Sequence, residues 1–214
     1  MKTLGQILNE SIVSDHKSLS KHYTFESMPH HLKSIVRQYT DDSEDLNSYH
    51  WNKHELNKTG QGHHFDADSR AEHESKHLDT ALEAHRTPHD VTVYAGIKGD
   101  PRERANKEGV VHHPAYLSTS LNKRIAQGFA NSNRHPDRNN GTIDHAHTLK
   151  INVPKGHSGA YVGNKGISEA PKEKEFILPR GLNLRLTGHS QKEQPSIIYP
   201  NKKIIHHTHT AEIL

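Results

Sequence analysis

The chain has 214 residues and no cysteine, which excludes disulfides and thiolate metal sites. Only 30% of its residues are hydrophobic and its mean hydropathy is −0.94, so a lean core under a very polar surface is expected. The formal charge of +3 comes without a long Lys/Arg run, which allows weak nucleic-acid contact without indicating it, and no apolar stretch reaches the roughly 18 residues of a membrane helix.

Met1 to Glu10 is a short amphipathic start without the apolar centre of a secretory signal. It resembles the leaders of proteins packed inside the heads of large tailed bacteriophages, with Leu8-Asn9-Glu10 at the place of their processing site. That resemblance implies a virion-head or host-cytoplasm location; an ordinary first helix reads the same residues equally well. Leu32, Ile35, Val36 and Tyr39 recur at helical spacing and predict a helix over 31–40. Asp41-Asp42-Ser43 then offers a break and a new N-cap, with a second helix over 44–56. A polar loop runs from Thr59 past Asp68. Residues 71–86 return to helix, with Leu78, Ala81, Leu82 and His85 on one face, and Thr87-Pro88 ends it.

After Pro88 the period changes. Val91 and Val93 alternate into Tyr94-Ala95-Gly96 as a strand, and 99–114 reads as a charged loop. Residues 115–120 form a short strand, and Asn122 caps a helix in which Ile125 and Phe129 lie one turn apart. Leu149, Ile151 and Val153 predict the next strand, which Pro154 closes, and Tyr161-Val162 a short one. Leu182, Leu184 and Leu186 alternate again, and further strands are expected over 196–199 and 203–213. Helices first and strands after give an α+β architecture with a mixed or mostly antiparallel sheet. One domain is expected, with a leader over 1–10, a helical lead-in over 11–88 and a β-rich core over 89–214.

The stretch richest in chemistry is Glu173-Lys174-Glu175-Phe176-Ile177-Leu178-Pro179-Arg180. If the whole run is a strand, Glu173 and Glu175 share a face, because side chains alternate with period two. Paired acids raise each other's pKa, so stability is a poor reason to place them together. A glycosidic bond breaking through an oxocarbenium-like state needs one carboxylate beside the developing charge, and a second can deprotonate the nucleophile. The bland reading is a solvated strand edge among Lys172 and Lys174.

Tyr94-x-Gly96, then Ser118-Thr119-Ser120, then Glu173-x-Glu175 occur in that order. Together with Ala126 and Phe129 after the serine triplet and Leu-Pro-Arg after the acids, they resemble the ADP-ribosyltransferases of the arginine–serine–glutamate, exotoxin-like class, over roughly residues 34 to 187. The resemblance implies an ADP-ribosyltransferase fold, with N-terminal helices followed by a split mixed/antiparallel β-sandwich core. It also implies NAD as substrate, a protein acceptor in a host cell and no metal; a monomer is expected. Glu175 would stabilise the oxocarbenium ion, Ser118 would keep that glutamate in position, and Glu173 would engage an acceptor arginine. Tyr94, Gly96, Ser118, Thr119, Ser120 and Phe129 would contact the dinucleotide, and the loop 163–172 would recognise the acceptor.

The family usually carries arginine between the aromatic and the glycine of the first strand, where it grips the NAD phosphates; here the residue is Ala95. Arg102 and Arg104 are the candidates to replace it. The competing reading is a catalytically degenerate fold, head-packaged or injected, with a binding role. The 22 histidines invite a third, a metal-dependent hydrolase. His63, His64, Asp66 and Asp68 cluster, and His207 and His209 would share a strand face, but no zinc spacing such as His-Glu-x-x-His occurs. Solvated histidine is therefore expected, and Trp51 reads as a packing residue.

Overall fold

The computed structural model describes residues 15–23, 28–61, 69–136, 141–164, 171–196 and 201–214. The leader-like residues 1–10, the His63–Asp68 cluster and most of the loop 163–172 lie outside them. Residues 15–22 are helical (α1), followed by α2 (His30–Asp41), α3 (Glu44–Lys58), α4 (Ser69–Glu83) and, inside the β region, α5 (Lys123–Ser132). The strands are β1 (Val91–Ile97), β2 (Val110–His113), β3 (Leu117–Ser120), β4 (His135–Pro136), β5 (Ile143–Val153), β6 (Ala160–Tyr161), β7 (Glu175–Leu178), β8 (Leu182–Pro195) and β9 (Lys203–Ile213).

The apolar stripe predicted for α2 is the one that packs: Leu32, Val36 and Tyr39 are buried. Leu78, Ala81 and Leu82 do the same for α4. Asp79 of α4 ties the helices to the sheet. Its carboxylate accepts from the Tyr116 hydroxyl at 2.6 Å, just before β3, and pairs bidentately with Arg180, just after β7, at 2.7–3.2 Å. The arginine that ends the Leu-Pro-Arg motif thus clamps helix to sheet.

The nine strands form one mixed sheet in the order β2-β8-β9-β5-β1-β3-β7-β6, with β4 on β5. Only the β5–β9 pair is parallel; the others are antiparallel. Between β1 and β3 a single residue pair, Tyr94–Ser120, joins the two halves. The sheet splits there, and the split opens the cleft described below.

Five elements differ from expectation. The segment read as a charged loop over 99–114 contains β2, which pairs with Leu182–Arg185 of β8. Strand β5 begins at Ile143, and β8 runs on to Pro195 with an irregularity between Leu186 and Gly188. The outer half of β8 is exposed on both faces, so its sequence carries no alternation to read. The strand expected over 196–199 does not begin at Ser196, which lies beyond the end of β8; 197–200 are outside the described residues. Finally, Glu173 is not on a strand. Pro171 opens a short 3-10 turn over Pro171–Glu173, Lys174 takes a left-handed φ of 50°, and the strand starts only at Glu175.

Candidate active site

A cleft of about 620 Å³ lies at the split between β1 and β3. Its wall includes all eight residues to which the resemblance assigns catalysis or dinucleotide contact: Tyr94 and Gly96 on β1, Ser118, Thr119 and Ser120 on β3, Phe129 on α5, and Glu173 and Glu175 around the turn into β7. The left-handed Lys174 replaces the two-residue alternation as the device that turns both carboxylates toward one space. The volume suits a ligand larger than a single ring.

Glu175 opens β7, paired with Ser120 across the β3–β7 ladder, and only 9% of its surface is exposed. Burial pushes its carboxyl up to about 7, a Ser118 hydrogen bond pulls it down, and the nearby Glu173 adds to the rise. The Ser118 oxygen also lies 3.3 Å from the Tyr39 hydroxyl, which accepts from Asn47 at 3.1 Å. The other two members of the triplet hold backbone. Thr119 donates to the Phe176 carbonyl at 2.6 Å. Ser120 donates to the Glu173 carbonyl at 2.5 Å and accepts the Asn122 amide at 2.9 Å. Ser120 therefore fixes the 3-10 turn that presents Glu173 and also the entry to α5.

Helix α5 closes one side. Asn122 caps it as expected, its side chain accepting the Arg124 amide. Ala126 and Ala130 are buried against the sheet, whereas Phe129, 50% exposed, leaves an apolar face on the cleft. Gly96 has a packing duty as well as a place in the wall. A Cβ there would lie 2.4 Å from both the Ala126 carbonyl oxygen and the Ala130 amide nitrogen. No Lys or Arg lines the cleft among the described residues. An adjoining compartment of about 490 Å³ shares Ser43, Gly96, Ser118 and Asn133 with it and contributes Lys98 and Arg104. Arg104 sits over the Trp51 ring at 5.2 Å, so Trp51 is a cation platform as well as a packing residue. Arg102 points elsewhere, bound to Asp100. Of the two arginines considered as substitutes at Ala95, only Arg104 borders the cleft's annex.

Sequence reasoning missed the end of α2. Tyr39, Thr40, Asp41 and Ser43 line the cleft, although Tyr39 reads from its spacing as core alone. Chemically, a buried carboxylate with a raised pKa beside a second, unburied one can stabilise a cation and handle a proton. Because the Ser118 hydrogen bond favours the charged form of Glu175, Ser118→Ala is expected to move the acidic limb of kcat/KM for NAD upward by about one pH unit. A pH profile of NAD cleavage checks this.

Residues 17–211 match the family described as ADP-ribosyltransferase exoenzyme. An NAD(+)–arginine ADP-ribosyltransferase, EFV, of Enterococcus faecalis is 31% identical over 107 residues, which is 50% of this chain and 20% of that protein, so the chain spans about a fifth of that relative's length. Among solved structures, the ADP-ribosyltransferase toxin Plx2a from Paenibacillus larvae superposes with a TM-score of 0.64 at 18% identity, covering 95% of this chain and 96% of that one. C3stau2 from S. aureus, determined with NAD, gives 0.59 at 20% identity, covering 100% and 97%. With a family match over nearly the whole length and a shared fold, the chain belongs to the ADP-ribosyltransferase exoenzyme family.

Proposed function

We propose that this protein cleaves NAD at the nicotinamide–ribose bond and transfers ADP-ribose to an arginine of a protein acceptor. The observation that carries the reading is the convergence of Glu175, Glu173 and Ser118 on one cleft through the turn at Lys174. The arginine-directed relative in Enterococcus faecalis supports the choice of acceptor. In the reaction, the C1′–N bond of the nicotinamide riboside breaks and nicotinamide leaves with the electron pair. The ionised Glu175, in a water-poor pocket, stabilises the cationic ribose. A guanidinium nitrogen then bonds to C1′. Since that group has a pKa above about 12, it must lose a proton as it attacks, and the Glu173 carboxylate on the same wall is placed to take it.

Without a cation at position 95, the pyrophosphate is assigned to the annex containing Lys98 and Arg104. The degenerate-fold reading loses ground because the eight residues that the resemblance assigns to catalysis or dinucleotide contact line one cavity. Incubating the protein with labelled NAD and a bacterial lysate is expected to label protein, with the label removed by hydroxylamine as for an arginine adduct. In the same assay Glu173→Gln is expected to lower transfer on the order of 10²-fold more than NAD hydrolysis, since water needs no guanidinium-directed base. Equal loss of both activities contradicts the acceptor role for Glu173.

A further inference from the structure

On the main core face of β5, alternate residues read Val153, Ile151, Leu149, His147, His145: apolar side chains give way to imidazoles where the core ends. The same face of β9 carries His209 and His207, with His189 on β8 and His135 on β4 beside them. Three of them are buried: His209, at 0% exposure, His147, at 3%, and His207, at 5%. His147 Nδ1 and His209 Nε2 lie 3.1 Å apart, and Asp100 Oδ1, from the loop after β1, lies 3.9 Å from His209 Nε2. Donor atoms of the three residues all fall within 4.8 Å of one another.

Packing does not explain this. A branched aliphatic residue would fill either position without burying a polar atom.

We propose that Asp100, His147 and His209 bind one divalent transition-metal ion of the zinc class. Metal–ligand bonds of about 2.0–2.2 Å set neighbouring donors of a tetrahedral site roughly 3.3 Å apart, close to the histidine pair, and the Asp100 carboxylate, 3.9 Å from His209 Nε2, has to move inward to join them. Two imidazoles and a carboxylate suit a borderline ion better than magnesium or calcium. Outer contacts orient the ligands. His135 Nε2 meets the other nitrogen of His147, and Arg102 grips the Asp100 carboxylate through its Nε and Nη2 at 2.6–3.0 Å. A cavity of about 590 Å³ lined by Asp100, His135, His145, His147 and His207 gives an entry path and room for water as a fourth ligand. The ion would pin to the sheet the loop that also carries Lys98 and Arg104.

The test uses the whole protein, stripped with chelator and titrated with ZnCl2 by calorimetry and with CoCl2 by visible absorption. One equivalent is expected to bind saturably, with a tetrahedral cobalt spectrum and a melting temperature raised by roughly 5–10 °C at a hundredfold excess over Kd. Asp100→Asn, which keeps the acceptor that caps the Pro101–Arg104 turn, and His209→Gln are each expected to weaken zinc at least tenfold. His112→Gln, on the exposed β2, is expected to leave binding unchanged. Weak uptake of several equivalents, or binding indifferent to Asp100→Asn, means adventitious histidine binding only and overturns the proposal.

Discussion

Replacing Glu175 with glutamine is expected to remove ADP-ribose transfer by about 10³-fold while making the protein harder to melt at pH 8. Both effects come from one fact. The carboxyl is buried and its pKa is raised from 4.5 to about 7, so its ionised form is the costly one in the folded state. The folded protein therefore binds the proton more tightly than the unfolded chain, and stability falls as pH rises from about 4.5 to about 7. Above pH 7 the penalty is complete, on the order of 2–4 kcal/mol; below about 4.5 it vanishes. Glutamine carries no charge, so the gain should be roughly 5–10 °C at pH 8 and shrink toward zero near pH 4.5. Melting curves at the two pH values, beside single-turnover NAD cleavage, check it. The wild type should correspondingly lose activity as pH falls through 7. Unchanged transfer by the glutamine variant sinks the catalytic assignment, and equal melting at both pH values sinks the electrostatic account.

Gly96→Ala is expected to be the most disruptive small substitution in the cleft. The new methyl would meet the Ala126 carbonyl oxygen and the Ala130 amide nitrogen at 2.4 Å and Phe129 Cβ at 2.8 Å. The first two are helix backbone and cannot swing aside, so α5 must lift from β1. Overpacking of this kind costs about 1–3 kcal/mol, or roughly 3–10 °C in a chain of this size. The lifted helix carries Ile125, Ala126 and Phe129 out of the wall they form, so KM for NAD should rise about tenfold or more. A control at Gly128, inside α5, where an added methyl meets nothing within 4 Å, should leave KM unchanged and raise the melting temperature by about 2–4 °C, since alanine favours the helix by about 1 kcal/mol over glycine.

The two variants separate what side chains signal from what neighbours decide. The strand β1, the helices α2 to α5 and the α+β class were legible because each such element buries one face, and a buried face leaves its period in the sequence; β7, buried at all four positions, showed instead as a short apolar run closed by Pro179. The glutamates, the serine triplet and Tyr94 were legible because their types and order resemble those of the ADP-ribosyltransferase family. Other features left no such trace. The outer half of β8 is held by backbone pairing with both faces exposed, and β2, Val-Val-His-His, is too short to show a period. Lys174 alone, in a left-handed turn, takes Glu173 off the strand while keeping it in the cleft. Gly96 looks like a ligand-approach glycine until α5 is found lying on it. Asp100, His147 and His209 come from a loop and two strands far apart in the chain, with no local spacing to announce them. Sequence by itself determined which residues carry a period and which carry reactive groups. The tertiary structure decided which of them meet, because distances between remote segments are set by sheet register and helix docking and not by any local run of residues.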